Sequence, residues 1–368
     1  MPRYIHQLKN WPDFTWDNEV LMSLLSNIHY KQGRLQGQMQ LLGFALRDET
    51  SLHVLTLDVL KSSEIEGELL QPAEVRSSLA RRLGMNIAGL VPADRNVEGV
   101  VDMMLDATQR YAVLLDKERL CSWHAALFPT GRSGMYKITV GNWRADHDGP
   151  MQVVSGPLGR ERVHYEAPAS AILEKEMQVF LDWFNAAGSM DPVLKSGIAH
   201  LWFVTIHPFD DGNGRMARAI ADMQLARADG NKQRFYSMSA QIRLARNAYY
   251  TILEKTQQGN LDITEWLLWF LNCMDAALDA TDNLLQGVLH KAAFWDMHHN
   301  TPINERQRAM INKLFDGFTG KLTSSKWAVL TKCSPDTALR DIQDLLQKDI
   351  LEKETAGGRS TSYVLKGK

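Results

Sequence analysis

Apolar residues recur at helical spacing along most of this chain. They do so through Leu21, Leu24, Leu25 and Ile28, then through Val54, Leu55, Val59, Leu60 and Ile65. Further runs pass through Val75, Leu79 and Leu83, and through Val97, Val101, Met104 and Leu105. Leu120 to Phe128 reads as a helix ended by Pro129, and Ala171 to Phe184 as an amphipathic one. Val193 to Ile206 places Ile198, Leu201, Trp202 and Thr205 on one face, and Pro208 ends it. A second pattern starts at Asn213 and runs through Met216, Ile220, Met223 and Leu225. Residues 235–272 look helical throughout; the last of these helices starts near Asp262 and Thr264, either of which can cap it. It runs to about Leu285, and a further helical stretch reaches Asp296. The expected class is mainly α.

Two regions depart from that pattern. Residues 131–168 are rich in glycine, with Tyr136, Ile138 and Val140 in alternation, and Val153 to Tyr165 reads as two short strands about a turn. Residues 297–368 read as helices over 305–315, 322–330 and 336–347, then strands over 350–354 and 362–365 around Gly357-Gly358-Arg359. That order resembles a winged helix-turn-helix. From Thr323 to Lys368 there are eight Lys and Arg against six Asp and Glu. A DNA-reading module is usually more basic, so an interaction or structural role is favoured over DNA binding. The first segment, to about residue 45, carries Trp11, Phe14 and Trp16 and reads as an aromatic arm packed on the rest.

Composition narrows the classes. Hydrophobic content is 45%, charged content 23% and net charge −2, so bulk charge points to neither nucleic acid nor a membrane surface. No apolar run approaches the ~20 residues that span a bilayer; Trp266 to Leu271 is too short. The N-terminus lacks an apolar leader. Cys121, Cys273 and Cys333 form neither a disulfide framework nor a zinc spacing. The expected setting is a reducing cytoplasm.

The chemistry concentrates in His207-Pro208-Phe209-Asp210-Asp211-Gly212-Asn213-Gly214-Arg215-Met216-Ala217-Arg218. Gly212-Asn213-Gly214 should form a tight loop at a helix N-terminus, where free N–H groups and the helix dipole favour an anion. Arg215 and Arg218, on the first turns, add charge-assisted bonds to phosphate oxygens. Asp211 supplies an oxygen suited to Mg²⁺, which one or two carboxylates and substrate phosphates usually hold. His207 stands at the loop entrance, where it can take a proton from an incoming hydroxyl. These roles together describe transfer from a metal-bound nucleoside triphosphate to a hydroxyl.

The segment resembles the signature of the Fic family, H-P-F-x-[D/E]-G-N-G-R-x-x-R, at every fixed position. The resemblance implies protein adenylylation: AMP passes from ATP, with Mg²⁺, to a Tyr, Thr or Ser hydroxyl of a protein, including the chain itself. It makes His207 the general base and Asp211 the metal ligand. It places Phe209, Gly212, Asn213, Gly214, Arg215 and Arg218 at the nucleotide, with Asn213 on the α-phosphate and the arginines on the β- and γ-phosphates. Tyr249 and Tyr250 would lie along the adenine, where Gln257 stands in place of an asparagine found in some relatives.

Upstream, Ser62-Ser63-Glu64-Ile65-Glu66-Gly67 fits the family's inhibitory pattern [S/T]-x-x-x-E-[G/N]. Val54 to Ile65 predicts a helix capped by Gly67, and Pro72 fits the first turn of the next. An acid at a helix C-terminus is disfavoured by the dipole and needs a cationic partner. By the resemblance Glu66 pairs with Arg218 and takes the place of a γ-phosphate, and Ser62 bonds in the motif loop. Residues 152–165 correspond to a hairpin flap that docks the protein target by strand addition. Tyr165 to Pro168 resembles the stop that follows it, and His124 reads as structural. The expected layout is an N-terminal extension over 1–99 with an inhibitory helix at about 50–67, a Fic core over 100–290, and the module at 297–368. Two alternatives keep the same site: removal of AMP from a modified protein, or nucleotide sensing coupled to the winged helix. A homodimer is left open.

Overall fold

The computed structural model describes residues 3–85, 90–146, 149–157, 159–315, 318, 320–354 and 361–366. It divides into two units, 1–282 and 283–368.

The first unit is helical, as the periodicity predicts. α1 (Asn18–Leu41) is capped by Asp17, whose carboxylate accepts from Glu19 N at 2.9 Å. α2 (Phe44–Ile65) is long and largely buried, and α3 (Pro72–Arg82) starts on its proline. α4 (Arg95–Gln109) and α5 (Lys117–Leu127) are capped by Asp94 and Asp116. Two short antiparallel hairpins follow: β1 (Arg132–Ser133) with β2 (Tyr136–Lys137), and β3 (Gln152–Ser155) with β4 (Arg162–Glu166). The second pairs Val153 with Tyr165 and Val154 with Val163, so it carries a bulge. Then come α6 (Leu173–Asn185), α7 (Pro192–Ile206), α8 (Asn213–Asp229), α9 (Met238–Leu244), α10 (Arg246–Gln257) and α11 (Thr264–Met297), the last crossing the boundary in sequence.

α7 and α8 form the centre, with Phe203, Ile206, Met216 and Ile220 fully buried. Gly197 lets α7 approach closely, since a Cβ there would lie 3.1 Å from both Leu267 and Phe270 on α11. Trp266 seals that crossing by donating its indole N–H to the Gly197 carbonyl at 2.9 Å. The N-terminal arm docks by aromatics, as expected: Trp11 and Phe14 meet Trp202 edge-on at 6.2 and 5.7 Å.

Three local expectations fail for identifiable reasons. The alternation at Tyr136, Ile138 and Val140 yields only the two-residue β2, because the Thr139 N–H bonds the Asp210 carboxylate instead of a strand (2.7 Å). Residues 235–272 are not continuously helical: Ser237 caps α9, and a turn at 258–263 separates α10 from α11. α11 itself runs unbroken past Leu285 to Met297.

The second unit adds α12 (Glu305–Phe315), α13 (Ser324–Leu330), α14 (Pro335–Gln347), β5 (Leu351–Lys353) and β6 (Tyr363–Leu365). The hairpin pairs Leu351 with Leu365. The turn expected at Gly357-Gly358-Arg359 lies outside the described residues. The core of this unit gathers Met310, Ile311, Trp327, Ile342, Leu345 and Leu351. Among the described residues no helix is long and apolar enough to cross a membrane. Cys121, Cys273 and Cys333 are free.

Candidate active site

His207 follows the last residue of α7 in a left-handed conformation, φ 53° and ψ 57°. That region is uncommon for a residue with a Cβ. Its N–H still donates to Phe203 O at 3.0 Å, so the helix ends while the side chain turns aside. The loop beyond it is tied from within. The Asn213 amide accepts from Phe209 N (3.0 Å) and donates to Phe209 O (2.7 Å). Phe209 is buried and stacks on His124 with centroids 4.2 Å apart. Gly212 has φ 80°, and a Cβ there would come within 2.9 Å of the Phe128 ring; only glycine meets both demands.

The loop is also tied from outside. Arg144 is buried and donates from Nε to His207 O at 2.8 Å, from its backbone N–H to Pro208 O at 2.9 Å, and from Nη2 to Pro168 O. Asp146 balances its charge at 2.7 Å. His124 holds Asp211 O at 3.2 Å and accepts from Gly141 N at 3.2 Å. Since Nδ1 accepts, Nε2 carries the proton. The Ser133 hydroxyl donates to the Asp211 carboxylate, which also accepts from Gly212 N at 2.6 Å.

Electrostatics suit His207 to proton removal. Burial pushes its pKa down to about 4, more strongly than the nearby acids raise it. It is therefore neutral at pH 7. Its Nδ1 faces Val204 O at 3.2 Å. A carbonyl only accepts, so Nδ1 carries the proton and Nε2 keeps its lone pair.

At the start of α8, Gly212 provides no side-chain cap. The two arginines of its first turns point instead at the end of α2. Arg218 is buried and donates from Nε to Ser62 Oγ (2.9 Å) and from Nη2 to Ser62 O (2.9 Å) and Glu66 Oε1 (2.8 Å). Ser62 thus bonds the arginine, not the loop. Arg215 lies over the Phe128 ring at 5.1 Å and donates to Glu68 at 2.6 Å. Glu66 is the C-cap of α2, and Gly67 follows with φ 86°. A Cβ on Gly214 would fall 2.2 Å from Glu66 Oε1. The carboxylate therefore lies directly against the first turn of α8, where an anion is favoured. Tyr250 donates to its other oxygen at 3.1 Å. Arg246 donates to Ile65 O at 2.6 Å, a cation at a helix C-terminus.

The structure thus gathers His207, Phe209, Asp211, Gly212, Asn213, Gly214, Arg215, Arg218, Tyr250, Ser62, Glu66 and Gly67 around one loop. Tyr249 is buried, with its hydroxyl on His200 Nε2 at 2.9 Å, and its phenol also lies close to the Arg218 guanidinium and the Glu66 carboxylate. Gln257 is buried on Thr205. Arg144, Ser133 and Glu68 are contacts that the sequence reading did not single out. Glu68 lay two residues past Glu66 and was readable as a neighbour; the other two carry no local signal.

The donors fit a phosphate chain. Arg215 Nε and Arg218 Nη1 are buried without a hydrogen-bond partner, and the α8 terminus lacks a cap. Asp211 would supply a carboxylate of the kind Mg²⁺ takes beside phosphates. Among the described residues no group of three His, Cys, Asp or Glu forms a self-sufficient metal site, so phosphate oxygens would have to complete the coordination.

Comparisons with known proteins match the stretch that carries this loop. The Fic/DOC family profile matches residues 114–225, and a domain of unknown function, DUF4172, matches residues 4–85. A protein adenylyltransferase Fic of Drosophila willistoni is 31% identical over 145 residues, 37% of this chain and 28% of that protein. That of Culex quinquefasciatus is 27% identical over 228 residues, 60% of this chain and 40% of its own length. The chain thus spans less than half the length of these curated relatives. A Fic family protein from Desulfovibrio desulfuricans shares the fold over 97% of this chain and 98% of its own, with TM-score 0.55 and 21% identity. A Fic domain containing signaling protein from Bacteroides thetaiotaomicron covers 73% and 95%, with TM-score 0.51 and 18% identity.

Proposed function

We propose that this chain, which belongs to the Fic/DOC family, transfers AMP from ATP to a hydroxyl of a protein side chain and is held inactive by Glu66. The observation that carries the proposal is the Glu66 carboxylate seated on the first turn of α8 and paired with Arg218. An acid in that position occupies the place an anionic substrate would take. The relatives named protein adenylyltransferase support the reaction type.

In this reading His207 Nε2 takes the proton of the target hydroxyl, whose oxygen attacks the α-phosphorus. The bond to the β-phosphate breaks and pyrophosphate leaves. The first turn of α8, with Gly214 free of a side chain, gives N–H groups to the developing charge. Arg215 and Arg218 bind the β- and γ-phosphates once Glu66 withdraws. Asn213 spends both amide groups on Phe209 here, so its first role is to hold the loop shape. Mg²⁺ on Asp211 would neutralise phosphate charge. The outer edge of β3 in the 152–165 hairpin gives a protein target main-chain groups to pair with. Tyr250, on the Glu66 carboxylate, would meet the nucleotide after its release. Positioning and charge supply most of the rate in such transfers.

The test is labelling with ATP radioactive at the α-phosphate, with Mg²⁺, in lysate and with the purified chain alone. Glu66→Gly should label proteins strongly, wild type weakly, and Glu66→Gly/His207→Ala not at all. Equal labelling in all three would refute the assignment.

A further inference from the structure

We propose that Glu68 is a second inhibitory carboxylate, holding Arg215 as Glu66 holds Arg218, so that a nucleoside triphosphate must displace two ion pairs. The inference rests on reading the α8 terminus as a phosphate site.

The turn after α2 places both acids. Gly67 takes the left-handed conformation, and three backbone bonds close the cap: Glu66 N to Ser63 O (3.1 Å), Gly67 N to Glu64 O (3.1 Å) and Glu68 N to Ser63 O (3.0 Å). This is the helix stop in which the residue past glycine folds back onto the last turn. Glu68 is therefore fastened to the helix that carries Glu66. Its side chain reaches Arg215 Nη1 at 2.6 Å.

The two arginines are held differently. Arg218 keeps both oxygens of Ser62 when Glu66 withdraws. Glu68 is the one hydrogen-bond partner of the Arg215 guanidinium among the described residues. That guanidinium is nearly buried, with 8% of its side chain exposed, lies over Phe128, and leaves its Nε unpaired. Replacing Glu66 alone therefore frees the α8 terminus but leaves Arg215 neutralised. Glu68 is 37% exposed, so solvent screens the pair and its effect is that of a partly exposed bridge.

The experiment is calorimetric titration of the full chain with ATP and, separately, AMP, without Mg²⁺. The proteins are wild type, Glu66→Gly, Glu68→Gln and the double variant, each checked for an unchanged melting temperature. The double variant should bind ATP about fivefold more tightly than Glu66→Gly, the range of a screened ion pair. AMP, which lacks the outer phosphates, should show no such gain. Equal ATP affinity in Glu66→Gly and the double variant overturns the role of Glu68 while leaving the site assignment standing. An equal gain for AMP also overturns it, since Arg215 would not then be reading the outer phosphates. If no variant binds ATP, the phosphate site itself is refuted and the inference falls with it.

Discussion

Lowering the pH from 8 to 5 should cost the first unit about 2 kcal/mol of stability through each of its two fully buried histidines, beside what the depressed His6 and His207 add. His124 and His200 have no exposed surface. Burial holds their pKa values down, to about 4 and about 3, from an ordinary 6.5. A histidine depressed in the folded state binds its proton more tightly when unfolded. Its contribution is thus complete above pH 6.5 and is lost as pH falls towards 4. At pH 5 each costs about 2 kcal/mol, because the unfolded chain is protonated and the folded one is not. Asp58 opposes this. Burial raises its pKa, and the Asp222 carboxylate beside it adds to the rise, so its protonation on acidification adds stability. Urea titrations at pH 8, 6.5 and 5 measure the balance. Wild type should lose stability over that window. His124→Gln and His200→Gln should begin lower but lose about 2 kcal/mol less each, while Asp58→Asn should lose more. A wild-type profile flat from pH 8 to 5, with all three variants parallel to it, would refute the argument.

Two substitutions test the framework around the loop. Arg144→Met removes the donors to the His207 and Pro168 carbonyls; it should cost about 3 kcal/mol in urea unfolding and, in the Glu66→Gly background, lower kcat for transfer with little change in KM for ATP. Gly99→Ala would put a Cβ 1.8 Å from the Ala126 carbonyl oxygen; backbone cannot yield as a side chain does, so α4 and α5 must part, at about 2–3 kcal/mol and a clear fall in melting temperature.

What the sequence made legible was local. His207 to Arg218 could be read because its groups lie on one helix end, where spacing fixes geometry. The presence and order of the helices followed from periodicity, though not the extents of α2 and α11, and the cap at Gly67 from the chemistry of helix stops. The pairing of Glu66 with Arg218 came from resemblance, since 152 residues separate them. What escaped was long-range. Arg144 stands 63 residues before the carbonyl it holds, and nothing in its surroundings marks it. Ile138 and Val140 look like strand residues, yet the backbone between them is claimed by a side chain of the motif, Asp210. The adjacent tyrosines divide, Tyr249 to His200 and Tyr250 to Glu66, a choice set by how α10 rolls against its neighbours.

The burial of α2 bears on how Glu66 could leave the α8 terminus. Leu52, Leu55, Val59 and Ile65 are fully covered, and so are Asp58, Ser62 and Ser63. Four turns of this helix belong to the body of the protein. It cannot swing away as a rigid arm without dismantling the core. On the proposed function, release would come from the turn past Ile65, Glu66 to Glu68, which moves only the segment bearing the two acids. If Glu66 inhibits as proposed, an activator has to stabilise an opened helix end rather than extract a helix. Hydrogen exchange at the amides of Glu66, Gly67 and Glu68 would report how often that turn opens.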